Sequence, residues 1–561
     1  MSEPRQRSRR SWFAALTVLV VFYWLLQWLY ISRLPLVMDE FQGAWTVYRL
    51  VEEVPYRDFA PYKTLLGYYL QLPVLLSGEG PWFPLLRVKL AMATLTAAGW
   101  LMAGWVLMKI FRPQAVVAST ALLVAMSTFL ERSAALRVDM LTSLAGLATL
   151  VLLLRRRWGF AGLAAAVSFL VSQKGVYFVQ AANAGLVLEM LVVTGWNKER
   201  WRRLLVFNGV ALAVVVGYLA FWASLSSVDA VITAVFLSHG QIALENLYDI
   251  QLRYWAQTLR RNPLFYTLAA VSLVWLVVRV GQARSGARST DVLLVGWASA
   301  MIGLCVWHKQ PWPYFFVLLI PTLSALHMAF FDALAAVPRP RSRTLAVFLA
   351  FIAGAGVVLP LVLRVPVNLA RDSTLQRLTV TTLESVLEPG DTYLAGVDLL
   401  FARDQPLPEL QWLDLRRSRA LGRLSGEERM DLLRRLDKQP VRCLVSSYRL
   451  RNLPRPVPEF LESRFRHWWG NLYLYSRLLP AGEESIDLSF TGRYRVEGAP
   501  GTLVRTGDRT LRVGEVVQLF KGLWSYQSDQ PFRLSLEPRA DLTPDPRFPQ
   551  PQAFFPRVYE Y

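Results

Sequence analysis

Two cysteines and four histidines are all that 561 residues contain. Cys305 and Cys443 lie in different regions and match no metal-ligand spacing, and two such residues cannot build a disulfide framework. Acidic residues are also short, with 41 Asp and Glu against 61 Lys and Arg and a formal charge of +20. No internal repeat appears, and no two-fold pattern of Gly- or Pro-broken helices of the kind inverted-repeat transporters show. The long apolar runs carry no acid at their centres, as a charge-translocating path through the membrane would require.

What is there is apolar. Hydrophobic residues make up 54% of the chain and mean hydropathy is +0.31. Runs long enough to span a bilayer, or nearly so, fall at Trp12–Ile31, Trp82–Ile110, Ala115–Leu130, Met140–Leu154, Phe160–Val171, Val176–Thr194, Leu204–Leu225, Leu264–Val278, Val292–Val306, Tyr314–Ala335 and Leu345–Val365. The first is too long for a signal h-region and lacks a small-residue cleavage site, so it reads as a retained signal-anchor.

The positive charge follows these runs. Six short segments, 1–10, 109–114, 155–159, 196–203, 279–290 and 337–343, hold nineteen Lys and Arg against two acids, Glu3 and Glu199. They alternate with less basic segments, which is the pattern that puts them on the cytoplasmic side. The charge therefore sets orientation and meets anionic lipid; it is not a nucleic-acid footprint. About eleven crossings with the N-terminus inside place everything after Val365 outside. That region divides into 366–480, an α/β unit with TYLAGVDLLF and VRCLVSSYRL as buried strands, and 481–561, a small β-sandwich with a Pro-rich tail from Leu542.

On the outer side stand Ser32–Pro81, Glu131–Asp139, Ser172–Gly175, Ser226–Pro263 and Trp307–Pro313. Their chemistry-bearing residues are Asp39-Glu40 after the first helix, Pro61-Tyr62-Lys63 with Leu66-Gly67-Tyr68, Arg137-Val138-Asp139, Gln173-Lys174-Gly175, and His308-Lys309-Gln310-Pro311 leading to Tyr314 and Pro321. In order and sidedness this set resembles the GT-C glycosyltransferases that use polyprenyl-phosphate sugars, a group including protein O-mannosyltransferases and lipid A aminoarabinose transferases. The resemblance covers about two-thirds of the chain.

The resemblance implies an α-helical polytopic enzyme of the bacterial inner membrane, with a soluble α/β plus β-sandwich region on the periplasmic face. It implies inverting transfer of a sugar from a polyprenyl-phosphate donor to an acceptor such as lipid A, an envelope glycan or a lipid. Asp39 takes the role of base, with Glu40 in support and Asp139 as the supporting acid of the second outer loop. Burial against Phe41 and Trp45 is expected to raise the Asp39 pKa. Each acid has a structural alternative: Asp39 capping an amphipathic helix over Phe41–Val54, and Asp139 capping Met140–Leu154. Lys63, Lys174, Arg253 and Lys309 lie outside and near the membrane plane, where a lipid phosphate sits, although lysines there also snorkel. Tyr314 adds a hydroxyl donor to phosphate. A divalent metal has Asp39, Glu40 and His308 as candidates. The long segment Ser226–Pro263 either covers the donor or packs on the C-terminal region. Two other readings share these residues: the same chemistry with protein Ser/Thr as acceptor, and a lipid or sugar transporter or flippase.

Overall fold

The computed structural model describes residues 3–61, 63–194, 197–238, 240–241, 251–283, 288–336, 343–539 and 541–555. Tyr62, residues 239 and 242–250 of the 226–263 segment, parts of the basic segments and the end of the Pro-rich tail lie outside these.

Each of the eleven apolar runs is helical. Among the described residues eight of the helices are long and apolar enough to cross a membrane: Arg9–Ile31, Phe83–Leu107, Gln173–Val193, Lys198–Leu225, Pro263–Ala283, Ser289–Trp307, Pro313–Leu334 and the one beginning at Gly354 within Arg343–Leu369. In lipid every backbone N–H and C=O needs a partner within the segment, and a helix supplies them all. The other three, Pro113–Ala125, Asp139–Leu154 and Trp158–Val171, have 13, 16 and 14 residues, short of the ~20 that a bilayer requires. The run expected as one helix over Ala115–Leu130 is broken. Met126 is extended (φ −69°, ψ 118°) and a short helix, Ser127–Arg132, follows. The break is satisfied from outside the helix: Asn262 Oδ1 accepts from Ser127 N at 2.8 Å and from its hydroxyl at 3.0 Å. Irregular backbone at this depth is tolerated because it is enclosed by protein.

Small residues let the helices close up. A Cβ added to Gly296 would meet the Ala184 carbonyl oxygen at 2.6 Å and Gly185 Cα at 2.8 Å. The helices Val176–Glu189 and Ser289–Trp307 thus touch backbone to backbone, the contact that stands in for a hydrophobic driving force in lipid. Pro313–Leu334 runs through the centre, 89% of its apolar window buried, whereas only 11% of the Lys198–Leu225 window is. The basic segments gather at one end: Arg156 reaches Ser289 at 2.8 Å, and Arg200 donates to the Glu189 carbonyl at 2.9 Å. The outer segments gather at the other.

The C-terminal region is strand-rich. Among the described residues eleven strands, β1 (Thr392–Leu394), β2 (Val441–Val445), β3 (Phe465–Trp469), β4 (Leu472–Leu479), β5 (Gly482–Leu488), β6 (Gly492–Gly498), β7 (Leu503–Thr506), β8 (Arg509–Arg512), β9 (Val516–Leu519), β10 (Gly522–Ser528) and β11 (Phe532–Leu536), form two sheets. The larger runs β1-β2-β4-β11-β6-β9 with β3 on β4; the smaller runs β5-β10-β7-β8. Alternating residues of both, among them Leu488, Val504, Tyr494 and Leu534, share one core. Because β11 pairs with both β4 and β6, a single sheet continues across position 480.

This region sits on the end of the bundle opposite the basic segments. Asp404 accepts from Trp45 Nε1 at 2.9 Å and from Arg49 Nη1 at 2.7 Å. Gln376 donates to the Leu36 and Phe554 carbonyls at 2.9 and 2.8 Å and accepts from Leu36 N at 2.8 Å.

Candidate active site

Between the bundle end and the C-terminal region lies a cavity of about 1150 Å³. Asp39, Lys63, Lys174, His308, Lys309 and Tyr314 all line it. Segments separated by up to 275 positions in the chain thus supply one surface.

The helix Met38–Arg49 begins one turn earlier than the Phe41–Val54 expected from the sequence, with Val37 extended (φ −83°, ψ 155°) before it. Asp39 and Glu40 therefore both sit in its first turn, where successive side chains diverge by about 100°. Glu40 turns inward, is 3% exposed, and accepts from Val37 N and Leu136 N, each at 2.9 Å. It is Glu40 that satisfies the free N–H at this helix start, so the capping role considered for Asp39 falls to its neighbour. Asp39 turns to the cavity with 30% of its side chain exposed.

Asp139 begins the helix Asp139–Leu154 and caps no free N–H in it. Instead it is the hub of three cations: Lys174 Nζ at 2.7 Å, Arg137 Nε at 3.0 Å and Lys63 Nζ at 3.4 Å. Only 2% of its side chain is exposed, so it stands behind the cavity wall and holds the cations that face in. Arg137 also binds Asp39 through Nη1, and its guanidinium lies 3.3 Å over the Tyr314 ring. Tyr314 is thereby tied to the carboxylates, and its hydroxyl bonds to Asp39.

Lys174 owes its place to Gly175. A Cβ there would come within 2.2 Å of the Ser168 carbonyl carbon, so the Gln173–Gly175 turn folds flat against the preceding helix.

The electrostatics differ from expectation at Asp39. Burial acts to raise its pKa, but the Arg137 guanidinium, Lys63 and the Tyr314 bond hold it below the usual carboxylate range. The anticipated apolar neighbours serve elsewhere: Phe41 packs on Phe555 with centroids 6.0 Å apart, and Trp45 binds Asp404. Lys63, 7% exposed, is pushed down to about 7, by burial first and then by Lys174 and Arg137, against the opposing pull of Asp139. His308 bonds to the Tyr177 hydroxyl through Nδ1 at 2.9 Å and stacks on Phe315 at 4.2 Å. Burial, with Lys174, lowers its pKa to about 3, so the ring is neutral. Lys309 is exposed to the cavity and, among the described residues, forms no ion pair.

Arg253 is not brought in. It lies exposed on the helix Gln251–Arg261, outside the cavity lining, with its guanidinium 6.0 Å from the Tyr254 ring. Nor are Asp39, Glu40 and His308 gathered as metal ligands: Glu40 is spent on two backbone amides and His308 on Tyr177. Among the described residues no three His, Cys, Asp or Glu side chains come together in this way.

The sequence placed Arg137 in a motif but gave it no bridging role, and it did not single out a whole wall from the C-terminal region. That wall includes Trp412, Arg416, Arg419, Tyr448 and Arg449. The one signal for it is the arginine-dense run LRRSRALGR, Leu415–Arg423.

No protein-family model matches the chain, and no curated protein matches it in sequence. Solved structures do match in three dimensions. The apo oligosaccharyltransferase of Archaeoglobus fulgidus aligns at TM-score 0.56 and 10% identity, covering 98% of this chain and 99% of that one. The oligosaccharyltransferase AglB of Archaeoglobus fulgidus, in complex with an inhibitory peptide and a dolichol-phosphate, aligns at 0.52 and 11%, covering 98% of each chain. ArnT of Cupriavidus metallidurans in the apo state aligns at 0.50 and 13%, covering 71% of this chain and 86% of its own. The chain shares the fold of these oligosaccharyltransferase and ArnT structures, the GT-C fold.

Proposed function

We propose that the protein is an inverting glycosyltransferase of the bacterial inner membrane. It would move a sugar from a polyprenyl-phosphate donor to an acceptor hydroxyl on a lipid or envelope glycan at the periplasmic face. One observation carries the reading: the partly exposed carboxylate Asp39 and the cations Lys63, Lys174 and Lys309 face one cavity at the end of a GT-C bundle opposite the basic segments. The dolichol-phosphate held by the AglB structure of the same fold supports a lipid-phosphate donor.

In the proposed reaction the donor phosphate lies against Lys63, Lys174 and Lys309. The acceptor oxygen attacks C1 of the sugar from the opposite face and the C1–O(phosphate) bond breaks. Its electron pair leaves with polyprenyl phosphate, and the hydroxyl proton passes to Asp39. The leaving group is a stable phosphate anion, so no general acid is needed, unlike glycosidases. Held below the usual carboxylate range, Asp39 is in its basic form at neutral pH but is a weak base. It therefore takes the proton late, as bonding to C1 acidifies the hydroxyl. Preorganised cations and orientation supply most of the acceleration.

The test is Asp39→Asn in purified protein. Asn keeps the size of the side chain, so folding and donor binding are expected to persist while transfer falls by about 10²–10⁴-fold. Near-parental turnover would remove Asp39 from the role of base.

A further inference from the structure

The cavity has a second charged wall that the reaction above does not use. It comes from the C-terminal region, where Asp414 caps the helix Leu415–Arg423 by accepting from Arg417 N at 2.8 Å. That helix turns Arg416, Ser418 and Arg419 to the cavity. Beside it Arg449 is anchored through Nη1 on the Leu413 carbonyl, and its guanidinium stands 5.4 Å from each of the Trp412 and Tyr448 rings. Among the described residues neither Arg419 nor Arg449 has a carboxylate partner, and the Asp414 carboxylate is spent on its cap. The wall also abuts the base: Tyr448 OH and Arg449 Nε reach Met38 Sδ at 3.1 and 3.2 Å, one residue from Asp39.

We propose, resting on the function argued above, that this wall is the acceptor subsite and that the acceptor is an acidic saccharide. Guanidinium groups without acidic partners match carboxylate or phosphate groups two hydrogen bonds at a time. The flat faces of Trp412 and Tyr448 cover the C–H faces of sugar rings. Of the bundle cations, by contrast, Lys63, Arg137 and Lys174 are tied to Asp139, and the donor phosphate is placed against the lysines of that group and Lys309. A neutral Ser/Thr peptide would leave Arg419 and Arg449 without a counterion.

Direct binding to the full-length protein in nanodiscs tests this without knowledge of the donor sugar. The probes are a phosphorylated glycolipid and its dephosphorylated form, a uronate oligosaccharide and its carboxyl-reduced form, a Ser/Thr peptide, and undecaprenyl phosphate. At least one acidic saccharide should bind more tightly than its neutral form, by about 10- to 100-fold, the range for a charged hydrogen bond. Which pair shows the difference identifies phosphate or carboxylate as the anion. Arg419→Gln and Arg449→Gln should each abolish most of that difference, with the loss on the saccharide and not on undecaprenyl phosphate. Equal binding of acidic and neutral forms, preference for the peptide, or a loss confined to undecaprenyl phosphate would overturn the subsite. Saccharide binding without undecaprenyl phosphate binding would instead overturn the donor reading and leave the subsite standing.

Discussion

Arg137 stands between two carboxylates, and that placement sets the charge state of the more exposed one. Without its guanidinium the burial of Asp39 is opposed only by Lys63 and the Tyr314 bond. In Arg137→Met the Asp39 pKa should therefore rise, and Asp39 would be protonated at a higher pH than in the parent. The acid limb of the pH–rate profile should move to higher pH. An unmoved limb would mean that Arg137 does not govern the base. Lys63 works in the other direction. Its pKa is depressed to about 7, so the amine is charged below that pH and neutral above it. An anionic phosphate favours the charged form, so donor binding above pH 7 should take up a proton. Affinity should then fall with rising pH by up to about tenfold per unit. Calorimetry with undecaprenyl phosphate in buffers of different ionisation enthalpy measures this. Lys63→Met should bind more weakly and show no such uptake.

At the scale of elements, the site depends on how turns meet helices. The Gln173–Gly175 turn presents Lys174 to Asp139 because nothing larger than hydrogen fits between Gly175 and the Ser168 carbonyl. Gly175→Ala is expected to push the turn outward. That should weaken undecaprenyl phosphate binding about 10-fold or more, the worth of a charged hydrogen bond. Thermal unfolding in detergent should also begin at lower temperature, since overpacking costs about 1–3 kcal/mol. Parental binding with parental stability would show that the close approach is not needed. The break at Met126 is a second case. Apolar composition read the run as one helix, whereas Asn262, more than a hundred residues away, supplies the partners that let it stop.

For the whole molecule the consequence of the fold is sidedness. Basic segments meet at one end of the bundle and the acids and site lysines at the other, so the membrane must separate them. Alkaline phosphatase fused after Tyr561 is expected to be active, because the C-terminal region sits with the site end. A cytoplasmic reporter that is active at the same position would invert the orientation.

Much of this was legible in the sequence because lipid is an unforgiving solvent. A run of apolar residues there has to be helical, and the charges flanking it have to choose sides, so composition alone determines the bundle and gathers Asp39, Lys63, Asp139, Lys174, Lys309 and Tyr314 on one side of it. Distance and direction were not legible. Two adjacent acids look alike in a sequence, and only the helix start at Met38 sends Asp39 to the cavity and Glu40 into the protein. The pKa of Asp39 was read from neighbours in sequence, Phe41 and Trp45, whereas the field comes from Arg137, 98 positions on. Arg253 shares the side and the charge of the site lysines, yet its helix holds it outside the cavity. The arginine wall is the clearest case. Its residues lie in a soluble region that nothing local ties to the membrane, and they become part of the site only because Asp404, Gln376 and Tyr448 dock that region on the bundle. Periodicity and charge act over a few residues and are written in the chain; the facing of two surfaces depends on contacts hundreds of residues apart, and only the tertiary structure decides it.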